Sequence, residues 1–210
     1  MIIAVDGPAA SGKGTLAKRL AAHFGLNHLD TGLLYRAVAR ALIDQSLPLS
    51  DEVAAARMAQ SLNFAALDEA KLRGREAGEA ASVISVYPDV RQALLEGQRR
   101  FAAKLPGAVL DGRDIGTVIC PNASAKLFVT ASPEVRARRR WLELSKTDPG
   151  LSYESVLDDI RRRDERDSNR SAAPLRKAED ARLLDTTEMD IDTAFREALG
   201  LIEAELSRKG

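Results

Sequence analysis

Short apolar runs alternate along this chain with stripes of helical spacing, and glycine-bearing turns separate them. The run Ile2-Ile3-Ala4-Val5 is unbroken, as a strand buried on both faces requires. After a glycine-rich turn, Leu16, Ala17, Leu20, Ala21 and Phe24 mark one helical face, and Gly25 supplies a C-terminal stop. Leu33, Leu34, Ala37, Val38, Ala41 and Leu42 repeat the stripe, leaving room for only a very short strand at 27–29. Helix is predicted over 51–61 and 89–104, with Pro106-Gly107 as turn chemistry between the second of these and a core strand at 108–110. A further strand is predicted at 126–130, and Ser132 before Pro133 caps a helix running to about residue 145. KTDPGLS (146–152) breaks that helix; a charged helix follows over 153–169, then a last strand at 182–185. Ile191, Ala194, Phe195, Ala198, Leu199, Ile202 and Leu206 form the inner face of the closing helix.

Strands alternating with helices behind a glycine-rich first turn predict an α/β fold with a central parallel sheet covered on both faces, a three-layer α/β/α arrangement. The segment 44–87 is harder to read, because after the helix at 51–61 the stretch LDEAKLRGREAGEAAS is polar and carries two glycines. A chain of 210 residues suits one such domain. Apolar residues at 45% and charged residues at 30% exclude wholesale disorder. Basic and acidic residues number 31 each, and only 4% of residues are aromatic, so cationic and stacking surface for nucleic acid is scarce. The lone Cys120 excludes an internal disulfide, fits a reducing compartment and reads as a small buried hydrophobe. The chain opens on a strand and has no apolar run of membrane length, so a cytoplasmic location is expected. His23 and His28 have no partner at metal-ligand spacing and read as structural.

The first turn is GPAASGKGT. Gly7, Gly12 and Gly14 open the backbone to a phosphate, the start of the next helix contributes oriented amides, and Lys13 can reach the β and γ phosphates. Pro8, Ala9, Ala10 and Ser11 complete the loop, a P-loop of NTPase type. Gly14 occupies the position of the usual metal-binding hydroxyl and Thr15 comes one residue late, so a metal would be held mainly by nucleotide and water. No guanine-reading N-K-x-D is present, and GKGT resembles the nucleoside monophosphate kinases.

Such an enzyme binds two anions and needs arginines beyond the loop. RRRDERDSNR places Arg163, Arg166, Asp167 and Arg170 within about 100° of one another on a helix, where like charges call for an anion between them. The bland reading is a solvated helix laced with pairs such as Asp159–Arg163. As a lid over about 145–178, the same helix would neutralise the transferring group and exclude water, and one placed arginine is worth ~10³–10⁵ in rate. In LDTGLLYR, Thr31 reads as an N-cap and Arg36 as a phosphate ligand one turn later. In LDGRDIGT, Asp111 falls at a strand's carboxyl edge in a metal-water or positioning role, Gly112 reads as a turn residue, and Arg113 and Asp114 project from the loop.

In this order, GPAASGKGT, DTGLLYR, DGRDIGT and RRRDERDSNR resemble the bacterial cytidylate kinases, the (d)CMP kinase family, over nearly the full length. The resemblance implies CMP and dCMP as acceptors, ATP with Mg²⁺ as donor, and a cytoplasmic monomer. It implies cytosine contacts from Thr31, Arg91 and Asp114, pentose contacts from Ser82, Arg163 and Asp167, and acceptor-binding arginines at Arg36, Arg113 and Arg170. A carboxylate at Asp114 would accept from the cytosine N4 amino group and repel the uracil carbonyl. Lys13, Arg113, Arg166 and Arg170 are expected to act on the reacting groups in direct in-line transfer. One domain is expected, with its core at 1–43, 88–144 and 179–210, an acceptor-binding insert at 44–87 that looks short over 62–82, and the lid at 145–178. The alternatives are a P-loop kinase of AMP, UMP or shikimate, and a nucleotide-sensing protein that holds ATP without transfer.

Overall fold

The computed structural model describes residues 1–72 and 74–209. Strands β1 (Ile2–Asp6), β2 (Asn27–Asp30), β3 (Ala108–Gly112), β4 (Ala125–Thr130) and β5 (Arg182–Asp185) form one parallel sheet in the order β2-β3-β1-β4-β5. Successive side chains of a strand point to opposite faces. Ile3, Val5 and Val109 accordingly pack with Leu16, Leu20, Ala198 and Ile202, from α1 (Lys13–Phe24) and α8 (Ile191–Lys209). Ala4 and Leu110 point the other way, onto α2 (Thr31–Asp44), α3 (Glu52–Gln60), α4 (Arg75–Ile84) and α5 (Pro88–Ala102) through Leu34, Val38, Leu42, Ile84 and Leu94. A third cluster joins α6 (Pro133–Leu144) to α7 (Tyr153–Asn169): Ala137, Leu144, Val156 and Ile160 close over Ala9 of the first turn. Among the described residues no helix is long and apolar enough to cross a membrane.

The three layers agree with the pattern of the sequence, and α7 and β5 coincide with the predicted bounds. Ser132 caps α6 by accepting from the Val135 amide, and Cys120 is buried. Three expectations need correction. The buried side of α2 is Leu34, Tyr35, Val38, Ala39 and Leu42; Leu33, Ala37 and Ala41 are half-buried, because α4 packs on this helix as well as the sheet. Ile191 is exposed, since it opens α8 at the mouth of a cavity. The stretch 62–82 is not merely polar loop but contains most of α4, whose glycines disguise a helix that tertiary packing against α2 sustains. Between residues 44 and 87 the described residues form helices α3 and α4 and a 3₁₀ turn at Phe64–Ala66, with no strand.

The parallel register sets Asp6 beside Gly112 and Asp30 beside Asp111 at the sheet's carboxyl edge. In open α/β sheets this is where ligands bind.

Candidate active site

Between β1 and α1 the loop can be built only with glycine at its root. A Cβ on Gly7, whose φ is +154°, would lie 2.0 Å from the Val129 carbonyl oxygen. The N-cap of α1 is Gly12, which offers no side chain to the first amides, so those donors face outward with the helix dipole behind them. Lys13 lies among them, its Nζ 3.4 Å from the Pro8 carbonyl. Burial, and then the Arg113 cation, lower its pKa to about 7. Arg136 fastens the loop from behind: it donates to the carbonyls of Ala131 (2.8 Å) and Ala9 (3.3 Å) and grips Asp164 of α7 with both terminal nitrogens.

Lys13 lines three cavities in succession. The first, about 520 Å³, runs from Gly12–Thr15 to Arg139, Thr186 and Ile191. The second, about 200 Å³, lies between Gly14, Asp111, Arg36, Arg140 and Arg163. The third, about 50 Å³, is enclosed by Thr31, Tyr35, Arg91, Arg113, Asp114, Asp167 and Arg170. Loop amides and a group of arginines thus occupy two ends of one crevice that meets at Lys13.

Arginines dominate the middle. A Cβ built on Gly78 would lie 3.5 Å from Arg163 Nη1, 3.7 Å from Arg36 Nη2 and 3.9 Å from Arg140 Nη2, so three guanidiniums converge on one point. A Cβ there would make ordinary van der Waals contact with all three. Arg163 Nε is buried without an acceptor, and burial together with Arg113 lowers this guanidinium to about 10. Burial also lowers Arg36. Unpaired buried cations are costly, and an anion is the natural complement.

The narrow end is paired. Arg91 binds Asp114 and lies over the Tyr35 ring, while Arg113 Nε donates to Asp167 at 2.7 Å. Burial would raise Asp167, but Arg113 and Arg163 hold its carboxyl below the usual range. Arg170 Nη2 is 3.9 Å from Asp114 and has no hydrogen-bond acceptor. Burial and then Arg91 lower the Arg170 guanidinium.

Several predicted roles change with the geometry. Thr31 is not the N-cap of α2; Asp30 is, accepting from the Gly32 amide, and Thr31 Oγ1 donates to the Asp111 carbonyl at 2.8 Å. Gly112 ends β3 rather than forming a turn, and a Cβ there would meet Thr31 Oγ1 at 2.5 Å. The four-residue face of α7 does not stay together. Arg163 and Asp167 face the crevice, Arg170 has left the helix in extended backbone, and Arg166 turns to α4, donating to Ser82 Oγ (2.7 Å) and Glu79 (2.8 Å). Ser82 and Arg166 therefore bind each other and line none of these cavities. Asp159 pairs with Arg75 and Arg162, not with Arg163.

Other residues of the site were not singled out from the sequence. Arg139 and Arg140 lie in the run RARRRW, whose helical spacing was visible although its target was not. His28 does more than fill space: its Nε2 lies 2.9 Å from Asp111 Oδ1. Asp30 is pushed up by burial and by Asp111.

The chain matches the family model described as cytidylate kinase over residues 3–204. It is 62% identical to a cytidylate kinase of Methylocella silvestris over 204 residues, covering 97% of this chain and 94% of the relative. It is 58% identical to a cytidylate kinase of Brucella ovis over 207 residues, 99% of this chain and 94% of that one. Among solved structures, an uncharacterized protein from Eubacterium ventriosum superposes with a TM-score of 0.58 at 15% identity, covering 97% of this chain and 99% of that one. A gluconokinase from Sinorhizobium meliloti gives 0.54 at 15% identity, covering 98% and 93%. These two likenesses bear on the fold alone.

Proposed function

Because the chain belongs to the cytidylate kinase family, we propose that the crevice transfers the γ-phosphoryl group of ATP to CMP or dCMP, giving ADP and CDP or dCDP. The observation that carries this reading is the meeting of two anion-binding ends at Lys13. ATP lies along Gly7–Thr15 with its base toward Arg139 and Thr186. The acceptor phosphate is held by Arg36, Arg140 and Arg163, and the cytosine lies against Asp114 and Arg91, with Thr31 and Tyr35 walling its pocket. Asp114 accepts from the N4 amino group, where uracil presents a carbonyl. Asp167 and Arg163 face the pentose. Arg113 and Arg170 stabilise charge on the reacting groups, and Arg166 with Ser82 and Glu79 holds α7 against α4. Transfer is direct and in line, so positioning and charge neutralisation are the protein's main contributions.

Mg²⁺ fits this donor set when it arrives on the nucleotide. Among the described residues no three His, Cys, Asp or Glu side chains are grouped to cage an ion. Asp111 nevertheless presents Oδ2 3.6 Å from where a Gly14 Cβ would stand, beside the loop, with Asp30 as its neighbour. One or two carboxylates plus phosphate oxygens and water are the usual Mg²⁺ environment. Held there by Asp111 and the phosphate oxygens, the ion would neutralise phosphate charge. We place the enzyme in the cytoplasm as a monomer without a nucleic-acid partner, in keeping with its neutral charge and single buried cysteine.

The test is ADP release with CMP, dCMP, UMP, AMP and shikimate, with the phosphorylated acceptor identified. CMP and dCMP should be strongly preferred. Preference for AMP or shikimate would overturn the acceptor, and ATP binding with no acceptor-dependent ADP would leave a sensor.

A further inference from the structure

The turn that presents Asp114 to the acceptor is capped from another strand. Residues Ile115–Ile119 form one π-helical turn, and Asp114 stands at its N-cap with φ −143° and ψ 24°. Aspartate at that position ordinarily folds its carboxylate back onto the first free amides. Here the Asp114 side chain makes no capping bond; it points to Arg91 and toward Arg170. The amides are satisfied instead by Asp6, the last residue of β1. Ile115 N–H donates to Asp6 Oδ1 at 2.8 Å, and Gly116 N–H donates to Oδ2 at 2.8 Å. Asp6 is 5% exposed and lines none of the three substrate cavities.

We infer that Asp6 is a positioning residue for base specificity: by capping the 115–119 turn in place of Asp114, it frees the Asp114 carboxylate to read the acceptor base. This rests on the acceptor reading above. The chemistry explains why a carboxylate is needed. Two successive N–H groups require two acceptors side by side; asparagine has one and would set an NH₂ against the other donor. The seat is tight, since a Cβ on Gly116 would lie 3.0 Å from Lys126 Cδ and 3.4 Å from Asp6 Oδ2. Lys13 and Asp114 act on Asp6 with opposite signs, while the Lys126 ammonium is turned to Asp180. Burial raises the Asp6 carboxyl to about 7, against the pull of the Gly116 and Ile115 amides that favour its charged form. Without Asp6, two buried amides lose their acceptors, and an N-cap aspartate can fold back onto the second of them, Gly116. Turning back to cap, Asp114 abandons Arg91 and the pocket.

The experiment compares kcat/KM for CMP with that for UMP in the wild type and in Asp6→Asn. The ratio should fall about tenfold or more in the variant, with KM for ATP little changed. An unchanged ratio, with both acceptors slowed alike, would show Asp6 to be structural and overturn the inference. A second measurement needs no variant. Trans-hydrogen-bond NMR couplings should link the Ile115 and Gly116 amide nitrogens to the Asp6 carboxyl carbon; couplings to Asp114 instead would sink the proposal. If the wild type itself does not prefer CMP, the functional reading fails and the specificity role with it, while the couplings still report whether the cap exists.

Discussion

Lys13 binds its proton less firmly than a solvated lysine because burial and the neighbouring Arg113 both oppose its charge. Triphosphate oxygens reverse that balance. In the free protein the group titrates near 7, and in the complex it returns toward its ordinary value of about 10.5. Between those values the complex holds a proton that the free protein lacks, so ATP binding should take up nearly one proton at pH 8 and less at pH 6. Affinity should weaken as pH rises from 7, approaching tenfold per unit in the limit. Calorimetry in two buffers of different ionisation enthalpy measures the uptake directly, and Lys13→Met should abolish it. Residue chemistry of this kind was legible early. The loop lysine, Arg36, Arg113 and Asp114 stand in motifs whose local spacing dictates their place. Asp6 and His28 were not legible, because their partners lie 109 and 83 residues away.

Helix α7 is tied to the phosphate loop by one guanidinium as well as by the apolar packing of Val156 and Ile160. Arg136 is 3% exposed and its partner Asp164 26%, and the pair joins α6, α7 and the Ala9 carbonyl. Asp164→Ala leaves a buried arginine without its charge partner, which costs about 3 kcal/mol at the low end of the range for such pairs. Urea unfolding should show that loss, and replacing both partners by apolar side chains should recover most of it. At this scale the pattern of apolar positions worked where one face decides the helix, as in α1. It failed for α4. Glycines at 74 and 78 weaken the local signal, and the helix exists because α2 buries one side of it.

Across the whole molecule, charges cancel in number but not in place. Lys13, Arg36, Arg91, Arg113, Arg163 and Arg170 gather in the inner two cavities against Asp30, Asp111, Asp114 and Asp167. The free protein bears the cost of that crowding, and bound anions relieve it. CMP at a hundred times its Kd should stabilise the protein by about 2.7 kcal/mol, a Tm rise of roughly 5–10 °C for a chain of this size. UMP at the same concentration should give a smaller shift in differential scanning calorimetry if its affinity is lower. The sequence by itself determined the order of strands and helices outside 62–82, the phosphate loop and the basic character of the second site, since each depends on residues close together along the chain. Only the tertiary structure decided that Arg166 turns away to Ser82, that Arg170 returns toward Asp114, and that Asp6 caps the turn that follows β3. Those choices depend on where separate segments meet, and parallel pairing brings together side chains that no local periodicity relates.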